Sequence, residues 1–249
     1  MKYLKKTTIF KFFLLAMVVA TNVIPGNHNI VYASSNLMIA EEITTLFGSA
    51  RAVISKNQSL INDASKGDKG LSGHIVVAGA KANFKNTTGR DLNLTSIEVK
   101  AMLRAIRDSM DQAQPVINEK GRGFKGFLPA IFARQVADGF NSVMKGKMKI
   151  KLTTYAERLR NRANRPDDWE NNVMRNRFMR ASYERGRPFV ENAAYKGKAA
   201  YRYILPEYYQ ESCLSCHGGP KGDRDITGGR KEGGQLGELG GAVSFTIIN

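Results

Sequence analysis

"PFVENAAYKGKAAYRYILP", Pro188 to Pro206, holds two β-like runs on either side of Lys196-Gly197. Valine, tyrosine and isoleucine flank a short turn that contains glycine, so the stretch reads as a β-hairpin. Further on, "GAVSFTII" (Gly241–Ile248) is a closing strand. Before the hairpin, "KMKIKLTTY" sets Lys147, Lys149 and Lys151 against Met148, Ile150 and Leu152. That period of two describes a half-buried strand. Strands therefore gather late in the chain, where neighbouring runs pair antiparallel.

The first half has a different period. Between Ser35 and Asp63, Leu37, Ala40, Ile43, Leu46, Ala50, Val53 and Ile54 recur at helical spacing. A break rich in glycine and lysine, "ASKGDKGLSG" (64–73), follows, and "HIVVAGAKANF" (74–84) is compatible with a short strand. Thr95 or Ser96 can cap a helix with Glu98 in its first turn and Val99, Met102, Leu103, Ile106 and Met110 along one face. A helix with Ile131, Phe132, Val136, Phe140 and Val143 inward comes next. Near "RLRNRANRPDDWE", Pro166 suits the first position of a helix, with Asp167, Asp168 and Glu170 in its first turn. Helices early and antiparallel strands late make an α+β fold.

Between the hairpin and the closing strand lies "ESCLSCHGGPKG", starting at Glu211, with Cys213 and Cys216 the only cysteines of 249 residues. A thioredoxin-like disulfide belongs at a helix start in a βαβ unit, whereas this motif runs into glycines and a proline. Structural zinc needs four ligands, and apart from His28 the chain has only His74 and His217 beside the two thiols. Cys-x-x-Cys-His fits covalent haem c: two thiols add across the two vinyl groups, and the adjacent histidine lies under the ring to bind iron. The sixth iron position stays open among His74, a methionine (Met38, Met102, Met110, Met144, Met148, Met174 or Met179), and an exchangeable site for water or a diatomic gas. Gly218–Gly241 is dense in glycine without apolar periodicity, a composition that stays disordered unless it has something to fold around.

The N-terminus reads as an export signal: Lys2, Lys5, Lys6 and Lys11 precede "FFLLAMVVA", and Val31-Tyr32-Ala33 offers a cleavage site before Ser34. A retained anchor is the alternative, although the apolar run falls short of the ~20 residues a spanning helix needs. Residues 34–249 are then expected as one domain in the periplasm or another extracytoplasmic space, with a helical extension over about 36–65. Cleavage removes four lysines and no acids from a chain of net charge +16. The remaining basic residues are scattered, which argues for solvated surface and against nucleic acid.

Four stretches carry a resemblance: "INDASKGDKGL" (61–71), "RGFKGFLPAIFARQV" (122–136), "RNRANRPDDWE" (160–170) and "YRYILPEYYQESCLSCHGGPKGDRDITGGRKEGGQLGELGGAVSFTI" (201–247). Together they resemble a family of exported monohaem c-type proteins whose PAS-like domain was long catalogued as one of unknown function. The likeness runs from about Ile39 to the C-terminus. It implies an antiparallel sheet flanked by helices with haem against one face, thioethers at Cys213 and Cys216, and His217 as proximal ligand. Some relatives use a helix cysteine as distal ligand, and this chain has none to offer. Arg160 and Asn161 are candidates to face the haem propionates, or else to cap the helix near Pro166. Trp169, Tyr203 and Pro206 are candidates to line the pocket.

The expected role is redox sensing, or sensing of NO, CO or O2. No kinase or methyl-accepting region is present, so a signal would pass to a separate partner. Electron transfer to a redox partner protein is the alternative, and a haem enzyme is a third option without a distal acid or base singled out by spacing. The long N-terminal helix offers a face for a homodimer on periodicity alone.

Overall fold

The computed structural model describes residues 27–249. The export segment expected over 1–33 lies outside the described residues except for 27–33, which belong to the first helix. Five helices come first: α1 (Asn27–Lys56), the short α2 (Gln58–Ile61), α3 (Gly73–Thr88), α4 (Ile97–Ile117) and α5 (Pro129–Val143). Strand β1 (Met148–Thr153) follows, then α6 (Asp168–Val173), β2 (Phe189–Asn192), β3 (Ala200–Tyr208), α7 (Glu211–His217) and β4 (Leu239–Ile248). The four strands form one antiparallel sheet in the order β1-β4-β3-β2. The α+β architecture is the expected one and is compatible with a PAS-like fold. Among the described residues no helix is long and apolar enough to cross a membrane.

Helix α1 follows its apolar spacing: Ala40, Ile43, Leu46, Ala50 and Ile54 are fully buried. They pack against α3, α4, α5 and the sheet strands β3 and β4. The periodicity that suggested a homodimer face is thus spent on intramolecular packing. Each large side chain so buried contributes about 1.5–3 kcal/mol.

The piece at His74–Phe84 is a helix, not a strand. Ser72 caps α3 by accepting from the Ile75 amide, and Val76, Ala80 and Phe84, four residues apart, are the buried stripe. The β-branched run Ile75-Val76-Val77 favours a strand locally; a cap at one end, left-handed Gly89 at the other and a helical stripe against α1 outweigh it. Helix α4 starts as expected, with Ser96 accepting from the Val99 amide and Val99, Met102, Ile106 and Met110 buried. On α5, Phe132, Val136 and Phe140 are buried, but Val143 is exposed at the last turn. At α6 the proline lies two places earlier than expected: Asp167 is the N-cap, in a capping box with Glu170, and Asp168 is the first helical residue.

The hairpin is present. Lys196 and Gly197 both have positive φ (51° and 76°), and Tyr195 bridges Lys198. Two left-handed residues suit the strand twist, and glycine takes one of them without strain. Alternation then sorts the sheet's faces. Tyr201, Tyr203, Leu205, Val243, Phe245 and Ile150 face the helical layer. On the opposite face, Ile204, Leu239 and Ala242 meet Tyr155, Val173, Met174 and Phe178. The same face buries Arg202 against Asp167 and Glu170, with Lys151 paired to Glu170 at 2.8 Å.

Candidate functional site

Strand β3 leads through Tyr209 and Gln210 directly into α7, which carries the motif. The Gln210 carbonyl accepts from the Cys213 amide, and the Gln210 N–H points to Cys213 Sγ at 3.4 Å. Gly218 ends the helix after two turns. The motif therefore lies within a helix, where the glycines and proline had argued against one; they follow it instead. Residues three and four apart share a helix face, so Cys213, Cys216 and His217 lie on one side of α7. Both thiols are free and half-buried. The preceding strand is antiparallel to its neighbours, so this is no thioredoxin-type βαβ unit.

The glycine-rich segment after α7 folds back onto the motif. The Gly233 amide donates to Gly218 O at 3.1 Å and the Gly234 amide to His217 O at 2.7 Å. At the far end, Tyr209 and the 237–238 backbone exchange two hydrogen bonds, Tyr209 N to Glu238 O and Gly237 N to Tyr209 O. Gly234 has a steric role: a Cβ there would stand 2.5 Å from Tyr209 Cε2 and 3.0 Å from His217 O.

Three acidic residues of this segment face two arginines that precede α6. Arg160 bridges Asp225 and Glu232 and donates to the carbonyls of Cys216 and Arg230. Arg158 pairs with Glu238 and lies over the Tyr209 ring, 5.6 Å from its centroid. Composition alone suggested a disordered stretch; five charges and a backbone ladder order it. Burial pushes the Asp225 carboxyl up, but Thr227 and Arg160 outweigh that and hold it at about 2. Glu232 follows the same balance: burial raises it, while Arg160 and His217 hold it below the usual carboxylate range.

His217 is fixed from two sides. Its Nδ1 lies 3.0 Å from Glu232 Oε2, and its ring stacks on Tyr209 with centroids 5.3 Å apart and planes 22° apart. A carboxylate can only accept, so Nδ1 carries a proton, and in the neutral imidazole Nε2 is then the nitrogen with the free lone pair. Among the described residues Nε2 has no hydrogen-bond partner. Beside the motif, Arg185, Tyr209, Gln210, Ser212, Leu236 and Gly237 line an open cleft of about 570 Å³. Burial pushes the Tyr209 phenol to about 12, so it stays protonated at neutral pH.

The other expected site residues divide. Arg160 is at the motif, but its guanidinium is committed to Asp225 and Glu232. Asn161 is half-buried and caps the turn 162–164 by accepting from the Ala163 amide. Tyr203 faces the helical layer, where burial pushes its phenol to about 12. Pro206 pairs with Ala242 on the opposite face, just beyond the point where β2 ends against Ile204 and leaves an edge that tolerates proline. Trp169 stacks on Arg202 and donates to Glu191. His74 is exposed in the first turn of α3, a helix packed on α1 and α4, and the structure does not group it with the motif. Met102, Met110, Met144 and Met174 are buried core residues, and Met38 and Met179 are exposed.

Glu232, Asp225, Glu238, Arg158 and Tyr209 were not among the expected site residues. Their trace in the sequence is charge complementarity: three acids spaced through a glycine-rich run, and Arg158 and Arg160 in "RLRNR", 65 to 80 residues upstream of their partners.

A family model described as Tll0287-like (Tll0287) matches residues 40–247. The chain belongs to that family, a haem-binding domain of PAS-like fold. No curated protein and no solved structure matches it.

Proposed function

We propose that this member of the Tll0287-like family holds one haem c outside the cytoplasm and acts as a sensing module for redox state or a diatomic gas. The observation that carries the reading is the single face of α7: two free thiols beside a histidine whose Nδ1 is engaged and whose Nε2 is not. These residues fit the group. Cys213 and Cys216 are the sulfur anchors, and His217 Nε2 is the donor to iron. When bound, haem supplies a one-electron iron centre and an affinity for small gases. What the chain supplies is anchoring, orientation of the imidazole by Glu232 and Tyr209, and a cleft beside the motif.

Arg185 supports a change in the propionate assignment. It is exposed, lines the cleft, and makes no ion pair among the described residues, whereas Arg160 is already neutralised. A guanidinium in that position suits a carboxylate. His74 is exposed on α3, and Met102, Met110, Met144 and Met174 are committed to core packing, which favours an exchangeable site at the sixth position and hence gas or redox sensing.

Electron transfer is the second reading, favoured by the basic run Arg175, Arg177, Arg180, Arg185 and Arg187, which reaches the cleft. Positive charge there would speed encounter with an acidic partner. The test is the purified holoprotein. A c-type pyridine haemochrome that disappears in the Cys213→Ala, Cys216→Ala double variant supports covalent haem, and its absence in the wild type overturns it. Reversible CO or NO binding supports gas sensing. An inert six-coordinate spectrum, with fast salt-sensitive exchange with an acidic partner, favours the carrier.

A further inference from the structure

We propose that Glu232 is a positioning residue that holds His217 as a strongly donating imidazole and so biases a bound iron toward its oxidised state. The inference rests on the reading of His217 as iron ligand and concerns the side of the ring that faces away from the iron.

Glu232 is placed with unusual redundancy for a residue in a glycine-rich loop. Its carboxylate takes a two-pronged contact from Arg160, Nε to Oε1 and Nη2 to Oε2, the latter at 3.1 Å. Oε2 is also the atom that accepts from His217 Nδ1 at 3.0 Å. Its own carbonyl accepts from Arg158 at 3.4 Å. The next two residues are tied to the end of α7 through Gly218 O and His217 O. Backbone and side chain of Glu232 are thus held separately, and both hold it against His217.

A surface salt bridge would need none of this. The Glu232 side chain is only 11% exposed, and its partner could have been Arg160 alone. Sharing Oε2 with the imidazole gives the ring an anionic acceptor where a carbonyl or water would serve for orientation only. A carboxylate at Nδ1–H pulls the proton toward itself and raises the basicity of Nε2. A more basic donor stabilises the higher charge on the metal, so the midpoint potential falls. Arg160 moderates the effect by drawing charge from the same carboxylate, and Asp225 moderates Arg160 in turn.

The test uses the holoprotein and three variants, two of them isosteric. Glu232→Gln keeps size and an oxygen acceptor for Nδ1 but removes the charge. It should shift the ferric-to-ferrous ratio at fixed potential at least tenfold toward ferrous, about 59 mV upward for one electron. The ferrous iron–histidine stretch in resonance Raman spectra should fall, and Glu232→Asp should recover part of both shifts. Asp225→Asn is the control, since it unpairs Arg160 on the other side and leaves the His217 partner in place. It should leave the ratio within threefold of wild type. Unchanged potential and stretch in Glu232→Gln, or equal shifts in Asp225→Asn, overturn the inference while a c-type haemochrome leaves the haem reading standing. A wild type without that haemochrome overturns both.

Discussion

Arg160→Ala tests whether the glycine-rich segment is held by charge. Among the described residues Arg160 is the cation that pairs with both Asp225, whose side chain is fully buried, and Glu232 at 11% exposure. It also donates to two carbonyls, at Cys216 and Arg230. Removing one partner of a buried pair costs about 3–5 kcal/mol, because the other charge stays behind unpaired. Two features reduce that figure here. Asp225 keeps the Thr227 hydroxyl and the Thr227 and Gly229 amides as donors. Glu232 keeps His217. We therefore expect a loss of about 2–4 kcal/mol, expressed as local opening rather than global unfolding, since α1 to α5 have no part in the network. At 1.4 kcal/mol per decade, amide protection across 218–238 should fall roughly 30- to 800-fold. Hydrogen exchange read by mass spectrometry measures this directly, with peptides from α4 as internal control. Arg160→Lys should fall between, because an ammonium cannot reproduce the fork. Exchange across 218–238 within threefold of wild type would refute the reasoning, and equal loss of protection in α4 would show that the segment is no separate unit.

Gly234→Ala should strain the Tyr209–His217 stack, because its Cβ would meet ring and carbonyl inside contact distance; overpacking costs about 1–3 kcal/mol, readable as faster exchange at 209–218. Lowering the pH should loosen the same segment. Asp225 titrates at about 2 when folded and at about 3.9 when unfolded, so the open state binds more protons and the stabilisation, complete above about pH 4, is lost as pH falls toward 2. Exchange or proteolysis of 218–238 between pH 6 and pH 2 checks the direction, and Asp225→Asn should remove this share of the dependence. His74→Ala should leave the optical spectrum and midpoint potential of the holoprotein unchanged, since His74 is exposed on a helix not grouped with the motif; a spectral shift would return it to the list of distal candidates.

Local chemistry was legible wherever one short stretch settles it. The turn at Lys196-Gly197, the cap at Ser96, the alternation of β1 and the buried stripe of α1 each depend on residues within a few positions of one another. The stretch 74–84 misled because its β-branched residues favour a strand locally, whereas the Ser72 cap, left-handed Gly89 and a partner face on α1 together decide for a helix. Tyr203 misled for a related reason. It lies close to the motif along the chain, but strand alternation turns it to the helical layer. Pro166 missed by two positions, a boundary decided by which acid reaches the Glu170 amide.

The sequence by itself determined the elements that close within a turn or a hairpin, and it determined the motif through the spacing of Cys213, Cys216 and His217; the helix that puts the three on one face was decided by the structure. The tertiary structure decided what surrounds them. Arg160 meets Asp225 and Glu232 across 65 and 72 positions of chain, and Glu232 meets His217 across a loop with no periodicity of its own. Such pairs arise only when β3 and β4 pair and bring both ends of the glycine-rich segment together. Composition supplies the charges, and the closed sheet chooses which of them meet.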